Sequence, residues 1–192
     1  MKMKSVFSYA MLVLVLSSCS KDEESSSPKM QFTFGEESYN LKDASLYYTT
    51  EGEDGGHQFK VYQISDGIYT NANGSFGYSL DDYTNATYAI AIVVSPTPGN
   101  EFEPGEFPQH NIFDGVDSNV GFITFRSDTN TQCSTDDTNN DFSPIVIKGG
   151  FEGDDTMTID FDGTLSLRQN GDPVEVNGKI HFNGKIKDVR AL

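Results

Sequence analysis

The stretch Met157-Thr-Ile-Asp-Phe161-Asp-Gly-Thr-Leu165-Ser-Leu167-Arg-Gln-Asn-Gly-Asp-Pro-Val174-Glu-Val176-Asn-Gly-Lys-Ile180-His-Phe182 decides the fold class. Apolar residues recur at every second position, and Thr158, Asp160, Ser166, Glu175 and His181 fall between them. A period of two puts the apolar set on one face of an extended chain, as in half-buried antiparallel strands. Asp162-Gly163 and Asn170-Gly171 are dipeptides that accept the positive φ of two-residue hairpins, so the C-terminal part reads as a β-meander with turns at both. Asn183-Gly184 reads as a further hairpin or a bulge.

The same period continues upstream, in Phe32/Phe34 and Phe76/Tyr78/Leu80. Tyr88-Ala-Ile-Ala-Ile-Val-Val94 is apolar on both faces and reads as a central strand. No segment keeps helical spacing. Many short strands punctuated by Gly, Pro and Asn predict an all-β fold, a single antiparallel β-sandwich of jelly-roll or Ig-like kind, with a closed β-barrel as the alternative. Three connections read as long loops: Glu51 to His57, Ser95 to Phe113 and Ser127 to Ser143.

The N-terminus carries a different message. Lys2 and Lys4 precede the apolar run Met11 to Leu16, then Ser17-Ser18-Cys19, which is the layout of a secretory signal too short to span a bilayer. Leu16-Ser-Ser-Cys19 resembles the lipobox of bacterial lipoproteins, and the resemblance implies cleavage before Cys19 and acylation of that residue. Each buried CH₂ of an acyl chain contributes about 0.8 kcal/mol, so two or three chains anchor durably. Lys21-Asp22-Glu23-Glu24 is similar to the export signal of Bacteroidetes surface lipoproteins, and implies display on the outer face of the outer membrane. Residues 1–18 are therefore expected to be signal, 19–29 an acylated Cys and polar tether, and 30–192 one domain. Phe32-Thr-Phe34-Gly35, Pro104-Gly-Glu-Phe107 and Val176-Asn-Gly178 through Ile186 resemble small Bacteroidetes lipoproteins with a sandwich domain of uncharacterised function. That group supplies no catalytic residues.

The chain of 192 residues has a formal net charge of −16, and loss of the signal's +2 makes it −18. Such a surface repels phosphate backbones, so nucleic acid is not an expected partner. It also favours cations. Asp136, Asp137, Asn139 and Asp141 place several oxygens on one flexible stretch, the ligand type of Ca²⁺, although an EF-hand template laid from Asp137 fails at Phe142 and Lys148. No other cofactor is expected. His57, His110 and His181 are not spaced as a zinc set. Cys133 sits in a polar stretch without an activating His nearby, and reads as an exposed incidental thiol. Asp155-Thr156-Met157 fits the short O-glycosylation pattern of Bacteroidetes.

Glycan binding needs aromatic platforms, and with no Trp in the chain Tyr47, Tyr48, Tyr62, Tyr69 and Tyr83 are the expected exposed rings. The function expected from these readings is a non-enzymatic, surface-anchored lipoprotein with a binding or cell-envelope structural role. Its sharper form is a calcium-assisted glycan or protein adhesin. A hydrolase with carboxylates not recognisable from sequence is the alternative from another class.

Overall fold

The computed structural model describes residues 31–34, 36–41, 43–71, 80–109, 118–127, 132–134, 144–151, 153–169 and 172–190. Among these residues there are thirteen strands, one 3-10 turn over Leu80–Asp82 and no α-helix. The strands are β1 (Gln31–Phe34), β2 (Glu37–Asn40), β3 (Ser45–Asp54), β4 (His57–Ser65), β5 (Ile68–Tyr69), β6 (Tyr83–Thr84) and β7 (Tyr88–Ser95), followed by β8 (Gly105–Phe107), β9 (Val120–Ser127), β10 (Gln132–Ser134), β11 (Ile145–Gly149), β12 (Thr156–Gln169) and β13 (Asp172–Asp188).

The architecture is a β-sandwich. One layer runs β3-β4-β7-β9-β10 and the other β2-β1-β13-β12-β11-β8, with the ladder passing between layers through β13–β3 and β10–β12. β13 and β3 pair in parallel, with Ile186 opposite Leu46; the other strand pairs are antiparallel. Between the layers, Leu46, Ile64, Ile90, Ile92, Ile123 and Phe125 meet Phe32, Phe107, Ile145, Ile159, Phe161, Ile180 and Phe182 in one core cluster. Burying one such side chain contributes about 1.5–3 kcal/mol, so this cluster is the main source of stability.

β11, β12 and β13 form the C-terminal meander. The turn expected at Asp162-Gly163 does not occur, because β12 continues through it, with Asp162 opposite Lys179 and Gly163 opposite Gly178. Gln169 lies opposite Asp172, which leaves two residues, Asn170 and Gly171 in sequence, between the strands. Asn183-Gly184 is neither hairpin nor bulge, since the β12–β13 register is unbroken there. A Cβ on Gly184 would lie 2.7 Å from Phe182 Cζ, so the glycine leaves room for that ring.

The stretch from Glu51 to His57 is not a long loop either. β3 and β4 form a tight hairpin with Asp54 opposite His57, turned by Gly55 (φ 59°) and Gly56 (φ 88°). Positive φ at both central residues is the type I′ geometry, which matches strand twist.

Both faces of the strand Tyr88–Ser95 are buried. On its outer face Ala89 packs with Tyr47, Tyr69 and Tyr83, the last two from the chain between β4 and β7, and Val93 packs with Phe59, Val61 and Val120. Tyr47, Tyr48, Tyr62, Tyr69 and Tyr83 are all buried, contrary to the sequence expectation. The physical reason is that this layer is covered on both sides, so tyrosines on either face are enclosed.

Candidate functional site

The sequence-derived sites lie largely outside the described residues. This holds for Cys19, for Lys21, Asp22, Glu23 and Glu24, and for Asp136, Asp137, Asn139 and Asp141. His110 is also outside, while Cys133 belongs to β10, opposite Phe125 and Leu167, so its backbone is in a strand. Among the described residues no group of three or more His, Cys, Asp or Glu is placed to hold a metal ion.

A different constellation forms where the β3–β4 hairpin meets the chain between β7 and β8. It begins with a bulge: Tyr48 pairs with Tyr62, but Thr50 pairs with Val61, so Thr49 is an extra residue. An inserted residue shifts the alternation by one. Tyr48 and Glu51, three apart, therefore share the face of Tyr62 and Lys60. The Tyr48 hydroxyl donates to a Glu51 carboxylate oxygen.

Arg190 closes this cluster. Its Nη1 donates to Glu51 Oε1 at 2.6 Å, and its Nη2 and Nε donate to Asp188 at 2.6 and 2.9 Å. Its guanidinium carbon lies over the Tyr48 ring, 4.1 Å from the centroid, a cation–π contact. Burial first, and then the hydrogen bond to Glu51, push the Tyr48 hydroxyl well above the usual tyrosine range, so it stays a donor. The hydrogen bond from Arg190 pulls the Asp188 carboxyl below the usual carboxylate range. A carboxyl shifted in that direction stays charged near neutrality and is unsuited to general-acid work.

Beside this clamp lies an open concavity of about 560 Å³, lined by Glu51, Glu53, Gln58, Phe59, Lys60, Glu101 and Phe102 among others. The turn Thr97-Pro98-Gly99-Asn100, in which Asn100 N donates to Thr97 O and Gly99 has φ 82°, leads directly into Glu101 and Phe102 of that lining. Proline followed by a residue of positive φ is the type II arrangement. Asn119 Oδ1 accepts from Thr97 N and Oγ1 at 2.7 and 3.1 Å, which ties this turn to the start of β9. On the floor, Lys60 Nζ lies 4.6 Å from the centroid of Phe102, 5.6 Å from that of Tyr48 and 5.7 Å from that of Phe151.

A second polar group occupies the outer face of the other layer. Asp160 and His181 stand opposite each other on β12 and β13, and the imidazole Nδ1 bonds an Asp160 oxygen. Lys148 Nζ lies 3.5 Å from the other oxygen. His181 Nε2 is buried and has no hydrogen-bond partner among the described residues. A carboxylate orienting a histidine is the supporting half of a nucleophilic site. The described lining of the adjacent groove, however, includes no hydroxyl or thiol to serve as nucleophile.

Neither site was visible in sequence as a motif. Gly55-Gly56 between alternating runs was the available sign of the hairpin that carries the concavity, whereas the bulge at Thr49 and the return of Arg190 are long-range outcomes. Comparison of the chain with protein-family models, curated proteins and solved structures found no match.

Proposed function

We propose that this chain is a lipid-anchored, outer-membrane lipoprotein, displayed on the cell surface, whose sandwich domain binds a ligand at the open end between the β3–β4 hairpin and the 96–104 turn. The observation that carries the binding reading is the composition of the concavity. Half-buried Phe102 and Lys60 line about 560 Å³ of open space together with exposed Gln58, Glu53 and Glu101, so an aromatic residue, donors and acceptors border one concavity. Sites for small ligands are concavities of this size, and this one is walled mainly by charged and polar side chains around two phenylalanines, which suits a polar ligand. Calcium assistance through Asp136, Asp137, Asn139 and Asp141 remains the sharper version of the same reading, as does a protein rather than a glycan as partner.

The address rests on the lipobox and the acidic run after it. Cys19→Ala is expected to abolish labelling by a palmitate analogue and to release the protein from membranes. Replacing Lys21, Asp22, Glu23 and Glu24 by Ala is expected to keep the label but to protect the protein from protease added to whole cells. Label retained on Cys19→Ala rules out the anchor, and unchanged digestion of the second variant rules out the export signal.

A further inference from the structure

Lys60 is placed in an unusual way for a chain this acidic. Glu51 stands directly opposite it across β3 and β4, yet Glu51 is bonded by Arg190 and Tyr48. Among the described residues Lys60 makes no hydrogen bond or ion pair; its ammonium faces the rings of Phe102, Tyr48 and Phe151. An ammonium has three N–H donors and none of those on Lys60 is committed to an acceptor among the described residues, so a ligand oxygen can take one up.

The surroundings restrict what that ligand is. An anion meets Glu51, Glu53 and Glu101, and like charges brought together at a site cost affinity. An organic cation drawn to these rings would meet a like charge, because the Lys60 ammonium lies 4.6 to 5.7 Å from three of their centroids. A wholly apolar ligand would strip water from the carboxylates and from Gln58 without replacing their hydrogen bonds. What remains is a molecule with hydroxyls that both donate and accept, and with one apolar face to lie on a ring.

We propose that this concavity binds a neutral saccharide, with Phe102 as the stacking platform, Lys60 and Gln58 as donors to sugar oxygens, and Glu101 and Glu53 as acceptors from sugar hydroxyls. The proposal rests on the reading of the domain as a surface binding module and names the ligand class of that same site. Phe102 suits the role because it is half-buried: its ring packs against Phe151, 5.8 Å away between centroids, and the residue lines the concavity. Phe151 and Lys60 pack against the ring before any ligand arrives, which lowers the ordering cost of binding.

The test is an NMR titration of the mature full-length chain carrying Cys19→Ala, which removes the lipid and leaves every rim residue in place. Three probes are compared: a set of neutral gluco-, manno- and xylo-oligosaccharides, oligogalacturonate as the anion, and spermidine as the cation. The expected result is that one or more neutral oligosaccharides shift the backbone amides of Gln58, Lys60 and Glu101, and that Phe102→Ala weakens this by about tenfold or more, as loss of a stacked ring implies. Glu101→Gln, at an exposed position, is expected to weaken binding with an unchanged melting temperature, which separates a lost contact from lost folding. Rim shifts with oligogalacturonate or spermidine alone overturn the ligand class and leave the binding site standing. Absence of rim shifts with every probe overturns both.

Discussion

Tyr83→Phe tests the tyrosine-lined cover on the outer face of the β4–β7 layer, because it removes one oxygen atom and almost no packing area. The Tyr83 hydroxyl donates to Gln63 Oε1, and Gln63 Nε2 donates to Thr49 Oγ1 at 3.2 Å. Gln63 is 0% exposed and Tyr83 7% exposed, so water has little access to the acceptor left behind. A buried polar atom deprived of its partner costs about 1–3 kcal/mol, whereas removing both partners together is close to neutral. Each kcal/mol lowers the melting temperature by roughly 2–4 °C in a protein of 150–250 residues, so the single variant is expected to melt about 2–12 °C lower. Tyr83→Phe/Gln63→Leu is expected to recover much of that loss, with a coupling energy of about 0.5–3 kcal/mol. The assay is urea denaturation at pH 7 followed by far-ultraviolet circular dichroism, checked by tyrosine fluorescence in a chain without tryptophan. A single variant within about 0.5 kcal/mol of the parent, the range of ordinary surface changes, would refute the reasoning and mean that solvent reaches Gln63.

Three further expectations concern other parts of the molecule. Gly150 has φ 84°, and a Cβ there would lie 2.4 Å from Met157 Cε and 2.9 Å from Met157 Cβ, so Gly150→Ala is expected to lose roughly 2–4 kcal/mol from backbone strain and overpacking. Gly153→Ala, at φ 94° but with nothing within 4 Å, is expected to lose less in the same denaturation experiment. Burial is the leading cause that raises the hydroxyls of Tyr48, Tyr62, Tyr83 and Tyr88. An acid whose folded pKa is raised favours the native state fully below its unfolded pKa, so stability is expected to be free of tyrosine ionisation up to about pH 10 and to fall above it. Absorbance at 295 nm during alkaline titration checks this, since ionisation of these four side chains is expected only together with unfolding. Calorimetric titration with Ca²⁺, repeated on Asp137→Ala/Asp141→Ala, tests the metal reading: heat and a rise in melting temperature are expected for the parent alone, and their absence removes Ca²⁺ from the proposal.

The phase of alternation carried more of the fold than the turn dipeptides did. Met157, Ile159, Phe161, Leu165 and Leu167 are odd-numbered, whereas Val174, Val176, Ile180, Phe182 and Ile186 are even-numbered. A two-residue hairpin pairs odd positions with even ones, as Ile159 with Phe182 and Leu167 with Val174, so the apolar phase must switch wherever such a turn occurs. It switches across Asn170-Gly171 and at neither Asp162-Gly163 nor Asn183-Gly184. Local turn chemistry permits a hairpin at all three, but a turn at Gly163 would send Phe161 and Leu165 to opposite faces, and one buried face allows only a single register. The Asp162–Lys179 pair then bridges the uninterrupted strands at 2.6 Å.

The rim was far less legible, for a reason rooted in the same periodicity. A period of two assigns Tyr48 and Glu51 to opposite faces, and only the extra residue at Thr49 brings them together. Nothing in the order of residues announces that bulge; it follows from tertiary packing, where Tyr48 must stack on Tyr62, 5.0 Å away between centroids, while Gly52 lies opposite Phe59. A Cβ on Gly52 would come within 2.8 Å of the Phe59 ring, so the small residue there lets Phe59 lie across β3. Arg190 joins the cluster because the last strand runs parallel to β3, which carries a residue 139 positions away in sequence to Glu51. With Glu51 engaged in this way, Lys60 is left to the aromatic rings. The feature that gives the concavity its chemistry is thus the product of one inserted residue, one glycine and one parallel pairing, none of which an amphipathic pattern reports.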